Sequence, residues 1–159
     1  MTIYKNFLSK EIFKKLKDAM MSDYFPWYFN DGIDYKGKKD NSFQFTYTFV
    51  AETKINCSEE MIDIIKPILK KIKYKKLNRV KANLLTRTHK IIESQYHIDQ
   101  KEGTTGIFYL NKCNGYTIFE NGKKISSEEN KYVEFNSNLK HTGSSCTDEQ
   151  RRVVINFNY

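Results

Sequence analysis

The sequence predicts an α+β domain in which helices come first and an antiparallel sandwich or barrel follows, rather than a parallel sheet. Two amphipathic stretches precede Tyr74-Lys75-Lys76, and beyond that point short strand-like runs alternate with tight-turn sequences to the end of the chain. At 159 residues, 39% hydrophobic and 14% aromatic, the chain is long enough to bury a sizeable core by itself. That composition favours packing over disorder. No repeat, low-complexity run or linker divides it, so residues 1–159 read as one domain.

Each element has a local reason. Ser9 is placed to cap the first helix, with Leu8 before it stapling onto Phe13. Ile12, Leu16 and Met20 follow at i, i+4 and i+8, flanked by Phe13 and Ala19. Phe25-Pro26-Trp27 ends that pattern, because proline disfavours helix in the residue before it. Asn30 to Asn41 are polar and contain Asp31-Gly32 and Lys36-Gly37, which predicts a loop or loose hairpin. Phe43, Phe45, Tyr47 and Phe49 then alternate with Gln44, Thr46 and Thr48, a strand with one aromatic face turned to the core.

Ser58 caps a second helix whose Met61, Ile64, Ile65, Ile68 and Ile72 share a face. Pro67 lies inside it and is expected to kink it, since one N–H is missing from the ladder. The later strands are Val80 to Leu85, Thr105 to Leu110, Tyr116 to Glu120, Tyr132 to Phe135 and Val153 to Tyr159. Lys101-Glu102-Gly103, Asn114-Gly115, Glu120-Asn121-Gly122 and Ser126 to Asn130 between them have turn chemistry.

The net charge of +8 leaves nucleic acid open as a partner, but the lysines are scattered rather than clustered on one motif. An acidic small molecule or a peptide fits the same charge. No apolar run is long enough to cross a bilayer, so no membrane role is expected. Met1-Thr2-Ile3-Tyr4-Lys5 is not followed by the apolar segment of a signal peptide. Cys57, Cys113 and Cys146 are odd in number and far apart, and read as reduced thiols rather than a disulfide frame or zinc site. A cytoplasmic protein is the expectation.

Two of the three histidines belong to an ordered set: His97-Ile98-Asp99, then His141, then Arg151-Arg152 opening the last apolar run. On a strand, His97 and Asp99 would project to one face. Two imidazoles and one carboxylate on one side of a metal leave three coordination positions open, the arrangement of non-haem iron(II) oxygenases. An arginine at the mouth of an apolar strand is costly unless paired, and beside such a metal it would receive a carboxylate. His89, between Thr88 and Lys90, reads as an exposed loop residue.

The ordered pieces Ala82-Asn83-Leu84, Tyr96 to Asp99, Ile107 to Asn111, Gly115 to Phe119, Val133 to Ser137, His141 and Arg152 to Phe157 carry a resemblance. Together they resemble the 2-oxoglutarate and Fe(II)-dependent oxygenases, in particular the prolyl-hydroxylase-like branch and the small forms common in phages. The resemblance implies a double-stranded β-helix, a jelly-roll barrel with iron in its mouth and the amino-terminal helices packed on one sheet.

It further implies that His97, Asp99 and His141 are the iron ligands, and so the catalytic core. The Tyr109 hydroxyl would meet the C5 carboxylate of 2-oxoglutarate, to which a last-strand arginine forms a salt bridge. Arg151 and Arg152 point to opposite faces, so both are candidates. Arg152 is chosen because its companions Val154, Asn156 and Asn158 are the more polar set. Asn83, Thr117 and Asn156 are further co-substrate-pocket candidates.

The implied activity consumes 2-oxoglutarate and O₂ on Fe(II), yields succinate and CO₂, and hydroxylates a substrate. A peptidyl residue such as proline is the leading substrate. A nucleobase oxidised after flipping, or a non-catalytic metal-binding jelly roll, is the alternative. Substrate choice is expected to rest on the loops Asn30 to Asn41, Arg87 to Gln95 and Lys123 to Asn130. The last strand ends at Tyr159, so a near-minimal form without an appended recognition domain is expected, in the host cytoplasm for a phage gene. Oligomeric state is not legible in the sequence.

Overall fold

Both helices begin on a serine in the computed structural model, which describes residues 1–33 and 42–159. Helix α1 spans Lys10–Met21 and α2 spans Glu59–Leu69; the Ser9 and Ser58 side chains accept the N–H groups of Ile12 and Met61. Each serine thereby satisfies one of the donors that a helix start leaves free. On α1 the buried residues are Phe13, Leu16 and Met20, while Ile12 is 41% exposed, so the core-facing stripe is rotated from the expected Ile12-Leu16-Met20 line. Pro67 sits within α2, which runs on to Leu69. So close to the helix end, the missing proline N–H leaves only the Asp63 carbonyl without its usual donor.

The strands are β1 (Thr2–Tyr4), β2 (Tyr28–Asn30), β3 (Gln44–Ala51), β4 (Lys54–Ile55), β5 (Arg79–Thr86), β6 (Thr104–Tyr109), β7 (Tyr116–Phe119), β8 (Lys124–Ser126), β9 (Lys131–Asn136), β10 (His141–Gly143) and β11 (Arg151–Asn158). The large sheet runs β1-β9-β6-β11-β5-β3-β2, with β4 on β3, and the small sheet runs β10-β7-β8. From β6 onward the chain crosses between sheets: β7 and β8 lie in the small one, β9 in the large, β10 in the small and β11 in the large. That alternation is a double-stranded β-helix, or jelly roll.

The long strands lie where their hydrophobic patterns predict. The strands not anticipated, β1, β2, β4, β8 and β10, have three residues or fewer. Such runs are too short to register a period. Ser126, expected in a turn, closes β8. On β3, Tyr47 and Phe49 are buried as expected, whereas Phe43, just before it, is 42% exposed. Residues 34–41, most of the predicted Asn30 to Asn41 loop, lie outside the described residues.

Two apolar clusters flank the large sheet. One joins Phe13, Leu16 and Met20 of α1 and Ile62, Ile65 and Ile68 of α2 to Phe49, Ala82, Phe108, Ile155 and Phe157. The other fills the space between the sheets with Ile107, Tyr109, Val133, Phe135 and Val154 against Phe119 and Ile125. The amino-terminal segment is tied down by Asn130, whose side chain accepts the Leu8 N–H and donates to the Leu8 carbonyl, both at 2.8 Å. None of the described helices is long and apolar enough to cross a membrane.

Gly106 on β6 faces the buried Tyr132, and a Cβ there would lie 1.8 Å from the phenol oxygen. Gly106→Ala is therefore expected to destabilise the domain by about 1–3 kcal/mol through overpacking. Urea titration measures this; an unchanged midpoint would mean that Tyr132 has room to move.

Candidate metal centre and the arginine pocket

His97 and His141 meet through their backbones. Each N–H bonds the other's carbonyl at 3.0 Å, an isolated antiparallel bridge between the segment before β6 and the first residue of β10. His97 and Asp99 do not share a regular strand: the bridge at His97 and the Asp99 N–H bond to the Ser137 carbonyl (3.1 Å) hold the segment instead. The result brings the two rings to a centroid separation of 4.9 Å. The ligand atoms of His97, Asp99 and His141 all lie within 4.8 Å of one another.

Hydrogen bonds to the far ring nitrogens set the tautomers. His97 Nδ1 lies 3.1 Å from the Gln95 carbonyl, and His141 Nδ1 lies 2.9 Å from the Leu139 carbonyl. A carbonyl oxygen can only accept, so each Nδ1 carries a proton, and in the neutral ring each Nε2 presents a lone pair. Those lone pairs face the same carboxylate, His97 Nε2 at 3.8 Å from Asp99 Oδ1 and His141 Nε2 at 3.7 Å from Oδ2. Burial pushes the His141 pKa below the ordinary imidazole value, against the opposing pull of Asp99. With both rings neutral, three acceptors converge, an arrangement that repels itself unless a cation sits at the centre. The residues fit a divalent metal with two nitrogen ligands and one oxygen ligand.

Asp99 is held from behind. Its side chain is 2% exposed. Oδ2 accepts from Thr105 Oγ1 (2.7 Å) and Asn158 Nδ2 (3.1 Å), while Oδ1 accepts from Arg79 Nη2 (3.2 Å). Arg79 Nε also donates to Asn158 Oδ1 at 2.9 Å, closing a ring around the carboxylate. Arg79 and Asn158 are register partners on β5 and β11. Thr105 and Arg79 escaped the sequence reading. Asn158 was visible there only as a companion of Arg152 on one face of the last strand.

A cavity of about 110 Å³ opens beside this centre, its wall including His97, Asp99, Asn83, Asn156 and Arg152. Strand alternation sends the two arginines to opposite faces of the sheet. Arg152, Val154 and Asn156 line the cavity, and Val153, Ile155 and Phe157 join the core cluster. Arg151 is turned the other way, with Nη2 donating to the Met21 carbonyl at 2.8 Å, so the structure does not bring it to the cavity.

Arg152 is 3% exposed. Its Nε donates to Ser127 Oγ (2.8 Å) and its Nη2 to Thr117 Oγ1 (3.3 Å), and its guanidinium carbon lies 5.8 Å from the Tyr109 ring centre. No carboxylate among the described residues lies within ion-pair distance of it, and burial pushes its pKa down. Gly115 lets this side chain pass, since a Cβ there would lie 2.6 Å from Arg152 Cδ and 2.7 Å from the Ser145 carbonyl. Tyr109 and Thr117 stand behind the wall rather than in it, the Tyr109 hydroxyl donating to Thr117 Oγ1 at 2.8 Å. Asn156 Oδ1 is buried without a hydrogen-bond partner among the described residues. His89 is exposed, as expected.

No family model matches the sequence, and no curated protein matches it. Solved structures do match in fold. A prolyl hydroxylase from Trichoplax adhaerens, solved in complex with a peptide fragment of the hypoxia inducible factor oxygen degradation domain, superposes with a TM-score of 0.70. It is 16% identical, over 99% of this chain and 82% of that one. A Pseudomonas putida prolyl-4-hydroxylase gives 0.62 at 10% identity, over 99% and 91%. A viral collagen prolyl hydroxylase from Paramecium Bursaria Chlorella virus-1 gives 0.58 at 14% identity, over 99% and 87%. At such identities the likeness is one of fold, the double-stranded β-helix.

The brace on Asp99 should be measurable as metal affinity. Thr105→Val removes its shortest hydrogen bond and is expected to weaken Co²⁺ binding about 10–100-fold, as loss of a partner to a ligating carboxylate does. Calorimetry on the folded variant decides; unchanged affinity would leave Thr105 with a packing role only.

Proposed function

We propose that the chain is an Fe(II)- and 2-oxoglutarate-dependent dioxygenase that couples decarboxylation of 2-oxoglutarate to hydroxylation of a peptidyl residue such as proline. The observation that carries this reading is Arg152, a buried guanidinium without a carboxylate partner among the described residues, in the same cavity wall as His97 and Asp99 of the His97–Asp99–His141 cluster. Burying a cation among neutral hydroxyls is costly. A dicarboxylate with one end at the metal and the other on Arg152 offsets that cost and fits a planar fork. A metal serving only to staple the fold would have no need of such an arginine. The fold neighbours support the same reading, since three are prolyl hydroxylases and one was solved with a peptide.

In this reading His97 Nε2, His141 Nε2 and an Asp99 oxygen hold Fe(II). When bound, the iron supplies the open positions for co-substrate and O₂, and the oxidising chemistry. Thr105, Asn158 and Arg79 orient the Asp99 carboxylate before the metal arrives. Arg152 binds the C5 carboxylate and sets the co-substrate's direction in the cavity. Ser127 and Thr117 hold the guanidinium, and the Tyr109 hydroxyl fixes Thr117, so Tyr109 acts by positioning Arg152 rather than from the cavity wall. Asn83 and Asn156 line the path between metal and arginine, and the Asn156 acceptor suits a donor on a ligand or an ordered water. Val154 and the aromatic packing behind it keep bulk water from the arginine end.

Anaerobic titration of the Fe(II)-loaded protein with 2-oxoglutarate tests the reading. A visible metal-to-ligand charge-transfer band should appear, and His97→Ala should abolish it. Folded, iron-loaded protein that gives no band would overturn the co-substrate assignment. Succinate release stimulated by proline-containing peptides tests the substrate class.

The same titration distinguishes the arginines. Arg152→Ala is expected to weaken 2-oxoglutarate binding by roughly two to three powers of ten, from the ~3–5 kcal/mol typical of breaking a buried charged pair. Arg151→Ala should leave co-substrate affinity within about twofold, because a change outside the cavity has no differential contact with the ligand. The reverse pattern would reassign the pocket.

A further inference from the structure

Two loops from distant parts of the chain meet behind the arginine pocket. Cys113 lies between β6 and β7, and Cys146 lies between β10 and β11. The loops are clasped by Asn114: its N–H donates to Asp148 Oδ1 (2.9 Å), its Nδ2 donates to Thr147 Oγ1 (2.6 Å), and its Oδ1 accepts the Thr147 N–H (2.9 Å). Cys113 is 6% exposed and Cys146 is fully buried, and both are free thiols. Asp148 stands beside them at the surface. The sulfurs and a carboxylate oxygen lie within 4.8 Å of one another.

We propose that Cys113, Cys146 and Asp148 form a second metal site, selective for a borderline-soft divalent cation such as Zn²⁺, with solvent in the fourth position. A tetrahedral zinc site with Zn–S bonds of about 2.3 Å needs its sulfurs about 3.8 Å apart, within reach of the observed spacing by small side-chain rotations. Two sulfurs and one oxygen differ in softness from the two nitrogens and one oxygen of the His97 centre, so the two sites sort different metals.

Binding involves no change of oxidation state: each Sγ–H gives its proton to solvent as the Sγ–metal bond forms. Burial, with Cys113 alongside, pushes the Cys146 thiol up to about 11, so metal binding there is coupled to release of its proton. Asp148 at the rim gives the ion its entry. Occupancy would also clamp the two loops at the point where Gly115 packs closely on the Arg152 side chain and the Ser145 carbonyl.

Co²⁺ titration of the reduced protein tests the site with a signal of its own, because only thiolate ligands give intense near-ultraviolet charge transfer to cobalt. Two equivalents should bind per chain, one of them carrying that band. The band should disappear in Cys113→Ser and in Cys146→Ser and persist in His97→Ala, which removes the other centre. Buried serines can unfold a protein, so the unsubstituted chain provides a second readout.

With free Zn²⁺ at about 100 times its Kd, alkylation of Cys113 and Cys146 should slow roughly 100-fold, while Cys57 is unaffected. A single cobalt equivalent without the thiolate band, or alkylation rates indifferent to Zn²⁺, would overturn the second site. Neither outcome touches the oxygenase reading, whose own band depends on 2-oxoglutarate and His97.

Discussion

Strand β11 is hydrogen-bonded on both sides, to β5 along its whole length and to β6 from Val154 onward. Locked between two neighbours, it has one register, and its period of two sorts its residues without exception. Val153, Ile155 and Phe157 enter the core shared with the helices, while Arg152, Val154 and Asn156 form the cavity wall and Asn158 braces Asp99. A slip of one residue would bury three polar side chains in the helix-facing core and turn the arginine away from the His97–Asp99–His141 cluster. The core and the site therefore depend on the same alternation.

The site accepts local costs that this rigidity can sustain. Asp99 and Arg152 are charged and nearly inaccessible, and two imidazole lone pairs are aimed at one carboxylate. A flexible scaffold would relieve these strains by rotating side chains away. Here the His97–His141 backbone bridge fixes both rings, and carbonyl partners at each Nδ1 prevent them from turning over. In the proposed reading, preorganised repulsion of that kind would become affinity once a cation and an anion bind.

Much of the plan was legible in the linear sequence because it is local. Ser9 and Ser58 announce helix starts, and the aromatic alternation around Tyr47 and Phe49 marks a strand. The polar companions of Arg152 distinguish it from Arg151 by periodicity alone. The order His97-x-Asp99, then His141, then arginine marks a site. Other features lacked any local signal. Strands β8 and β10 are too short to show a period, and Ile12 belongs to the right helix but the wrong stripe.

What the sequence determined by itself was which residues alternate, cap and turn, and therefore which faces of which elements are apolar. Convergence was decided only by the tertiary structure. Arg79 and Thr105 reach Asp99 because β5, β11 and β6 are neighbours. Tyr109 and Arg152 share Thr117 as a hydrogen-bond partner because β6, β7 and β11 converge there. Cys113 meets Cys146 because the chain crosses repeatedly between two sheets. Periodicity acts over a few residues, whereas such meetings are set by strand order and register, which connect residues far apart in the chain.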